Sequence, residues 1–360
     1  MLRPERSIDV SKCRPKRLAR RSAVSGLLAA CAVLASCTAG PSEPPATDPP
    51  PAGALLPVPG GAVDPAQQPS PRWWVSLGDP VLDGLVARAE ERNQSLAAAI
   101  ANVRAAYASV GASEAELWPS IGAGAQYSRT LTNIAQLAAA GVRVEPYDTY
   151  AYGVGMSSWE IDLWGGVKRQ VEAAKASAES QVDALRDALV SVRSQVASSY
   201  LQLRMLQAQR VVLVANRDAL ASSRDLVKAR YEAGATNALD LARAQAALDG
   251  VEAQIPQVDA GISSSVSTIA VLCGTNPSEI APEVSVQRAM PSAPDVAGIG
   301  LPEEVLARRP DVRAARQRLL AATAAIGVAE AQRLPTLTVS GNFYIAANGV
   351  DGLGDLANKA

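Results

Sequence analysis

Cysteine is the residue of this sequence best suited to covalent chemistry, because the chain contains no histidine. Histidine is the commonest general base and a frequent metal ligand, so its absence argues against an enzyme. The scattered serines and aspartates have no histidine to pair with, and the glycine-rich stretch 349–354 follows no complete βα unit. We therefore predict no catalytic residue, no cofactor and no metal site.

The four cysteines are placed so that no internal disulfide is expected. Cys13 and Cys31 fall within residues 1–36, where a basic segment precedes an apolar run. That run is too short to span a bilayer, and the arrangement is typical of a secretory signal peptide. Removal of the signal would leave Cys37 and Cys273, and Cys273 ends a helical run as a small packed hydrophobe.

Cys37 is the predicted site of lipidation. It ends the tetrapeptide Leu34-Ala35-Ser36-Cys37, which has the pattern of the lipobox of bacterial lipoproteins. Cys31 follows a similar tetrapeptide but would leave a shorter apolar segment, so it is the alternative lipidated residue. A plain signal peptide that ends at a cysteine is also possible. Thr38 follows Cys37 where an aspartate would indicate retention in the inner membrane, so we expect the outer membrane.

The net charge of −1 hides an asymmetry. Residues 1–21 contain eight Lys/Arg and two Asp/Glu, which leaves 26 of the 34 basic and 33 of the 35 acidic residues for the remainder. An acidic mature chain without a basic patch argues against nucleic-acid binding. The low aromatic content of 4% and the many alanines favour long, closely packed helices.

Residues 93–127 recur weakly but in register 216 positions later, at 309–343. Each copy predicts an alanine-rich helix that ends at a proline, Pro119 or Pro335, and a short alternating strand after it. Internal repetition of this kind indicates a duplicated architecture. In the first copy, 93–116 carries a heptad seam, formed by Leu96, Ile100, Val103, Tyr107 and Val110.

Two alternating segments, 120–130 and 149–157, predict strands that are apolar on one face and small or polar on the other. A loop, 131–146, would join them as a hairpin. Such strands suit either a membrane β-barrel with a wet lumen or a soluble hairpin over a core. The strand after Pro335 has the same apolar phase, which favours the barrel.

The segment 167–231 contains neither proline nor glycine and keeps a regular apolar spacing, which predicts one helix about 100 Å long. Gly234 supplies the left-handed residue expected after a helix end. A return helix, 238–272, should bend at Pro256. The proline-rich segment 37–71 predicts an extended tether.

Three stretches carry a resemblance to TolC-type outer membrane efflux proteins, in particular to the NodT-like lipoprotein branch that serves resistance–nodulation–division (RND) pumps. They read LPEEVLARRPDVRAARQRLLAATAAIGVAEAQRLPTLTVSG (301–341), WEIDLWGG (159–166) and YEAGATNALDLARAQAAL (231–248). With the lipobox, the resemblance covers 31–345.

The resemblance implies a mainly α fold with transmembrane β. Long coiled-coil hairpins would form a periplasmic tunnel, and three protomers would each give four strands to a trimeric 12-stranded outer-membrane β-barrel. Four strands cannot close a barrel, and lipid does not tolerate open edges, so trimerisation is required. The expected organisation is a first repeat at 72–273, a linker at 274–300 and a second repeat at 301–360. The second repeat is expected to be truncated, without one strand and one helical hairpin.

By the same resemblance, Tyr231, Gly234 and Thr236 lie at a hairpin tip that contacts the periplasmic adaptor protein. Asp240 matches an acidic residue that closes the tunnel entrance in this family, although its tyrosine and arginine partners belong to the second hairpin. The alternative for Asp240 is a residue at a helix start, stabilised by the helix dipole.

The function implied is that of a passive exit duct for drugs or other small molecules. It would be a lipid-anchored homotrimer of the outer membrane that extends into the periplasm and receives its cargo from an inner-membrane RND pump through the adaptor. The alternatives are the duct of a type I protein secretion system and a non-functional fragment of such a channel. A purely structural coiled-coil lipoprotein would not explain the paired strands.

Overall fold

A computed structural model describes residues 38–44, 62–64, 70–130, 146–291, 296–298 and 302–349. The predicted signal peptide, both candidate lipidation sites and nearly all of the predicted loop 131–146 lie outside these ranges.

The described residues are mainly helical. Besides a 3₁₀ helix at Trp73–Leu77, the helices are α1 (Pro80–Arg92), α2 (Gln94–Ala115), α3 (Gly166–Glu232), α4 (Ala238–Glu252), α5 (Gln254–Leu272), α6 (Pro277–Val284), α7 (Pro302–Arg308) and α8 (Pro310–Ala331). The strands are β1 (Ala62–Asp64), β2 (Ile121–Thr130), β3 (Tyr147–Ile161), β4 (Val296–Gly298) and β5 (Leu337–Ala347).

The predicted long helix is confirmed as α3, which has 67 residues and is therefore about 100 Å long. The predicted return helix is present but divided, since α4 ends at Glu252 and α5 begins at Gln254. Pro256 is the cause, because it has no N–H to donate to the carbonyl of Glu252 four residues earlier.

The predicted repeat is confirmed in three dimensions. Helix α2 begins at Gln94 and α8 at Pro310, and they end at Ala115 and Ala331, so both ends are 216 residues apart. The strands that follow, β2 and β5, begin at residues 121 and 337, at the same offset. The heptad seam of α2 is buried only at its ends, Leu96 and Val110, whereas Ile100 and Tyr107 are exposed.

The repeated strands lie on opposite sides of β3 in an antiparallel sheet of order β2-β3-β5. The predicted apolar faces coincide across the sheet, because Ala123 pairs with Val154 and Val154 with Phe343. A bulge between Met156 and Trp159 shifts the register by one residue. That shift returns Trp159 to the apolar phase, since one added residue moves the following side chains to the other face.

The hydrophobic core lies among α1, the middle of α3, α5 and α6. Helix α1 begins with the predicted cap, since Asp79 Oδ1 accepts the N–H of Val81 at 2.9 Å. Its apolar face packs on α3 around Tyr200 and Leu203, both fully buried. Cys273, at the end of α5, is fully buried in the same cluster, as a packed hydrophobe should be.

Two segments are more ordered than the sequence suggested. The predicted linker 274–300 contains α6, and Ile280 of that helix is fully buried in the core. The predicted tether 37–71 contains β1, which pairs in parallel with β4. A proline-rich segment cannot form a core of its own, but its backbone groups can still bond to structure elsewhere.

Internal contacts divide the chain into two compact units. One comprises the described parts of 1–41, Glu116–Gln170 and 326–360, and the other those of Ser42–Ala115 and Val171–Ala325. This division cuts across the repeats, because their strands share one sheet.

Among the described helices, none is by itself long and apolar enough to cross a membrane. One bent pair, Ala238–Leu272 with Pro277–Val284, meets the criterion jointly by length and composition.

Candidate functional site

The turn after α3 brings together the three residues predicted for a hairpin tip, Tyr231, Gly234 and Thr236, and the predicted gate residue Asp240. Gly234 has a φ of +70°, which glycine adopts without steric cost. Its N–H donates to the carbonyl of Tyr231 at 2.9 Å, and the N–H of Ala235 donates to that of Arg230 at 2.7 Å. These two bonds satisfy carbonyls that the end of a helix leaves without partners.

The second half of the turn starts α4. Asn237 caps this helix, because its Oδ1 accepts the N–H of Asp240 at 2.9 Å. Thr236 Oγ1 donates to Oδ2 of Asp240 at 2.7 Å, and Arg243 approaches its Oδ1 at 4.0 Å. Asp240 therefore has the contacts of a helix-start residue, at an end where the helix dipole favours a negative charge. Its role in a gate stays a prediction.

Two apolar side chains beside the turn are left for another surface to cover. Tyr231 is 43% exposed and Leu239 is 56% exposed. Aromatic and aliphatic groups of this kind are common at the centre of protein interfaces. Leu239 was not among the predicted site residues. Its position could have indicated it, because it is an apolar residue directly before Asp240, in the first turn of a helix.

The sheet presents a second apolar surface. Ile121, Val154 and Phe343 lie on its apolar face and are each at least half exposed. Trp118, just before β2, is 74% exposed, and aromatic residues beside an apolar band are characteristic of strands at a membrane interface. Sequence reasoning missed Trp118, although it directly precedes the helix-ending Pro119.

No cluster of three or more potential metal ligands (His, Cys, Asp or Glu) occurs among the described residues.

A sheet with an exposed apolar face, followed directly in sequence by a helix of 67 residues, defines the fold of a TolC-type outer membrane channel subunit. The sequence profile described as outer membrane efflux protein matches residues 85–275 and 301–359. The chain belongs to that family.

Individual relatives agree with this assignment. Nodulation protein T of Rhizobium leguminosarum bv. trifolii is 28% identical over 86% of this chain and 65% of its own length. The pyoverdine export outer membrane protein OpmQ of Pseudomonas aeruginosa is 31% identical over 77% of this chain and 58% of its own. The chain thus spans less than two thirds of either relative.

The solved outer-membrane channel OprN is similar in fold. It superposes with a TM-score of 0.75 at 30% identity, and the match covers 90% of this chain and 71% of that one. The similarity therefore extends over nearly the whole chain and supports its NodT-like, TolC-type fold.

Proposed function

We propose that this chain is a subunit of the outer-membrane exit duct of a tripartite efflux system. The duct passively exports small molecules that an inner-membrane RND pump delivers through a periplasmic adaptor protein. One observation supports the proposal above all. This member of the family has both a sheet with an exposed apolar face and a 67-residue helix that ends in a turn with exposed apolar side chains.

The sheet is the part that enters the outer membrane. Within the described residues, β2 and β5 form its two edges and have no further strand beyond them. Because lipid does not tolerate unpaired backbone groups, other strands must cover these edges. In the four-strand organisation that the resemblance implies, a fourth strand of the second repeat covers one edge, and strands from further copies of the chain in a homotrimer close one barrel.

Lipidation of Cys37 adds a second attachment to the same membrane, with Cys31 as the alternative site. A single acyl chain binds a membrane only weakly, so stable anchoring takes two signals. Here the apolar sheet is the second signal.

The duct itself carries out no covalent chemistry and needs no cofactor. The inner-membrane pump supplies the energy, and the helices supply a water-filled path through the periplasm. The turn at 231–240 is the surface that the adaptor contacts, and Asp240 narrows the path at its entrance.

A photo-crosslinking residue introduced at Tyr231 tests this assignment in cells that co-express the chain with candidate adaptors of an RND pump and of an ABC exporter. We expect a crosslink from position 231 to the adaptor. Val212 is the control, since it is exposed on the same helix but lies about 28 Å along the axis from Tyr231. An adaptor crosslink that forms equally from both positions would refute the tip contact. A crosslink to the adaptor of an ABC exporter would instead favour a type I secretion duct.

A further inference from the structure

The residues directly after Cys37 are bonded to the fold through their backbone. Ala39 donates its N–H to the carbonyl of Trp164 at 2.9 Å. Arg169 donates from Nε to the carbonyl of Ala39 at 3.2 Å and from Nη2 to that of Gly40 at 3.4 Å. The backbone of Ala39 and Gly40 is therefore bonded to both Trp164 and Arg169. This part of the chain was predicted to be an extended tether.

Arg169 is built into the fold. Its side chain is buried, with a relative exposure of 6%, although a buried guanidinium is costly unless acceptors surround it. Two of these acceptors come from the segment 38–40. Because they are backbone carbonyls, the contact does not depend on the side chains of that segment.

Glycines allow the segment to come this close. A Cβ on Gly327 would lie 2.7 Å from the carbonyl oxygen of Ala39 and 3.0 Å from Cγ of Arg169. Gly40 has a φ of +85°, and a Cβ on it would lie 2.4 Å from Cα of Gly327. Gly111, the counterpart of Gly327 in the first repeat, has no atom within 4 Å of such a Cβ. Only in the second repeat, therefore, does this glycine make room for the segment 38–40.

The residues that contact 38–40 lie near the point where β3 passes into α3. Trp164 falls between Ile161, the last residue of β3, and Gly166, the first of α3. Its indole Nε1 donates to the carbonyl of Pro335 at 2.8 Å, two residues before β5 begins. The segment 38–40 thus reaches the end of one strand of the sheet and the beginning of another.

We propose that 38–40 is a docking segment and that Arg169 and Gly327 are positioning residues, which hold the residues directly after the proposed lipidation site beside these strand ends. The inference rests on the membrane role proposed above for the sheet and for Cys37. The acyl chains then enter the bilayer next to the strands, so that both attachments meet the same membrane surface. The docking itself depends only on contacts within the protein.

Replacement of Gly327 by Ala tests the proposal, with Gly111→Ala as the matched control. Both changes put a methyl group on a helix, but only the one at position 327 collides with the docked segment. With the full chain solubilised in detergent, we expect Gly327→Ala to speed proteinase K cleavage within 38–44 at least about tenfold, since local opening governs such cleavage. Gly111→Ala should leave the rate unchanged.

Arg169→Ala provides a second, independent variant, and Arg169→Lys should restore part of the protection because an ammonium still donates hydrogen bonds. A purely structural role for these residues would instead lower the urea midpoint of the whole chain and expose other segments equally. Cleavage within 38–44 that is the same in Gly327→Ala, Arg169→Ala and Gly111→Ala would overturn the proposal.

The same comparison in a Cys37→Ser background separates docking from lipidation. If 38–40 docks through protein contacts alone, Gly327→Ala should still be cleaved faster within 38–44 than Gly111→Ala when the lipid is absent. In the chain with Cys37 intact, the mass of the tryptic peptide ending at Arg72 reports acylation directly, since no Lys or Arg occurs between Cys37 and Arg72. An unmodified peptide would refute the lipid anchor proposed above, whereas loss of the difference between the glycine variants would refute docking.

Discussion

Tyr200 donates its hydroxyl to Oδ2 of Asp79 at 2.5 Å, across 121 residues of sequence, inside the hydrophobic core. Arg204 completes the group by donating from Nη2 to the tyrosine oxygen at 2.8 Å and from Nη1 to the carbonyl of Val286 at 2.7 Å. Since Asp79 also caps α1, one buried network joins the start of α1, the middle of α3 and the second residue after the end of α6.

Replacement of Tyr200 by Phe should lower the free energy of unfolding by about 1–3 kcal/mol, because it leaves polar atoms of Asp79 and Arg204 buried without their partner. Tyr107→Phe is the matched control. Its hydroxyl also donates to a carboxylate, that of Glu179 at 3.0 Å, but on the exposed surface, where the loss should be much smaller. Urea denaturation of the detergent-solubilised chain measures both. Equal losses would contradict a structural role for the network.

Stability should fall at alkaline pH through the same tyrosine. Burial, assisted by the hydrogen bond to Asp79, raises the pKa of Tyr200 from 10.0 to about 12. Between these pH values the unfolded chain has released the phenol proton while the folded chain retains it, so the free energy of unfolding falls as the pH rises. The contribution is complete below pH 10 and on the order of 2 kcal/mol. Tyr200→Phe should show a shallower decline than the unmodified chain, and identical slopes would refute this assignment.

Cys273 should resist thiol reagents while the chain is folded. It is fully buried, its Sγ lies 3.5 Å from the carbonyl of Leu85, and burial raises the pKa of its thiol from 9.0 to about 11. Because the thiolate is the reactive form, we expect little labelling at pH 8 in buffer and complete labelling in urea. Mass analysis of the peptide that carries Cys273 distinguishes it from the N-terminal cysteines. Labelling at equal rates in both solvents would show that this part of the core opens readily.

Gly234→Ala should destabilise the hairpin turn by about 1 kcal/mol, because a Cβ is disfavoured at a φ of +70°. No atom lies within 4 Å of the added carbon, so the cost is purely conformational. Gly250→Ala is the control, since Gly250 lies within α4 with equally open surroundings, and there alanine should stabilise the helix. Hydrogen exchange of the amides around 231–240 measures the effect. We expect faster amide exchange in Gly234→Ala and unchanged or slower exchange in Gly250→Ala. Faster exchange in both variants would contradict the conformational explanation.

Asp240→Ala tests the gate in a channel that conducts across planar bilayers. If Asp240 narrows the entrance as proposed, conductance should rise, because the change removes a charged side chain there and the acceptor of the bond from Thr236. Asp240→Asn is the companion variant, as it keeps the size and an acceptor oxygen while removing the charge. Conductance unchanged in both variants would leave Asp240 as a helix-start residue alone.

The sequence was most informative where a local rule decides the structure. The absence of proline and glycine over 167–231 predicts α3, and each alanine-rich run is followed by a proline that lies four residues after the observed end of α2 or α8. The apolar phase of the strands likewise predicts which side chains share a face of the sheet.

Interactions between distant segments were missed. Helix α6 has proline at its first position and buried residues four apart, Ile280 and Val284, but Pro282 inside it reads as a linker residue. The docking of 38–40 gave no signal, since its acceptors are backbone carbonyls. Gly327 looks equivalent to Gly111 in the repeat, and only the fold distinguishes them.

The pairing of β3 with its two neighbours implies an order of folding. Thr130 and Tyr147 pair across a short loop, whereas Ile161 and Leu337 pair across 176 residues. Closing a loop that long costs more entropy, and distant contacts form slowly. The intervening helices shorten the loop when they form, since Ser180 Oγ of α3 donates to the carbonyl of Ala314 in α8 at 3.2 Å, across 134 residues. We therefore expect the hairpin of β2 and β3 to form early and β5 to join it only after the helices have folded.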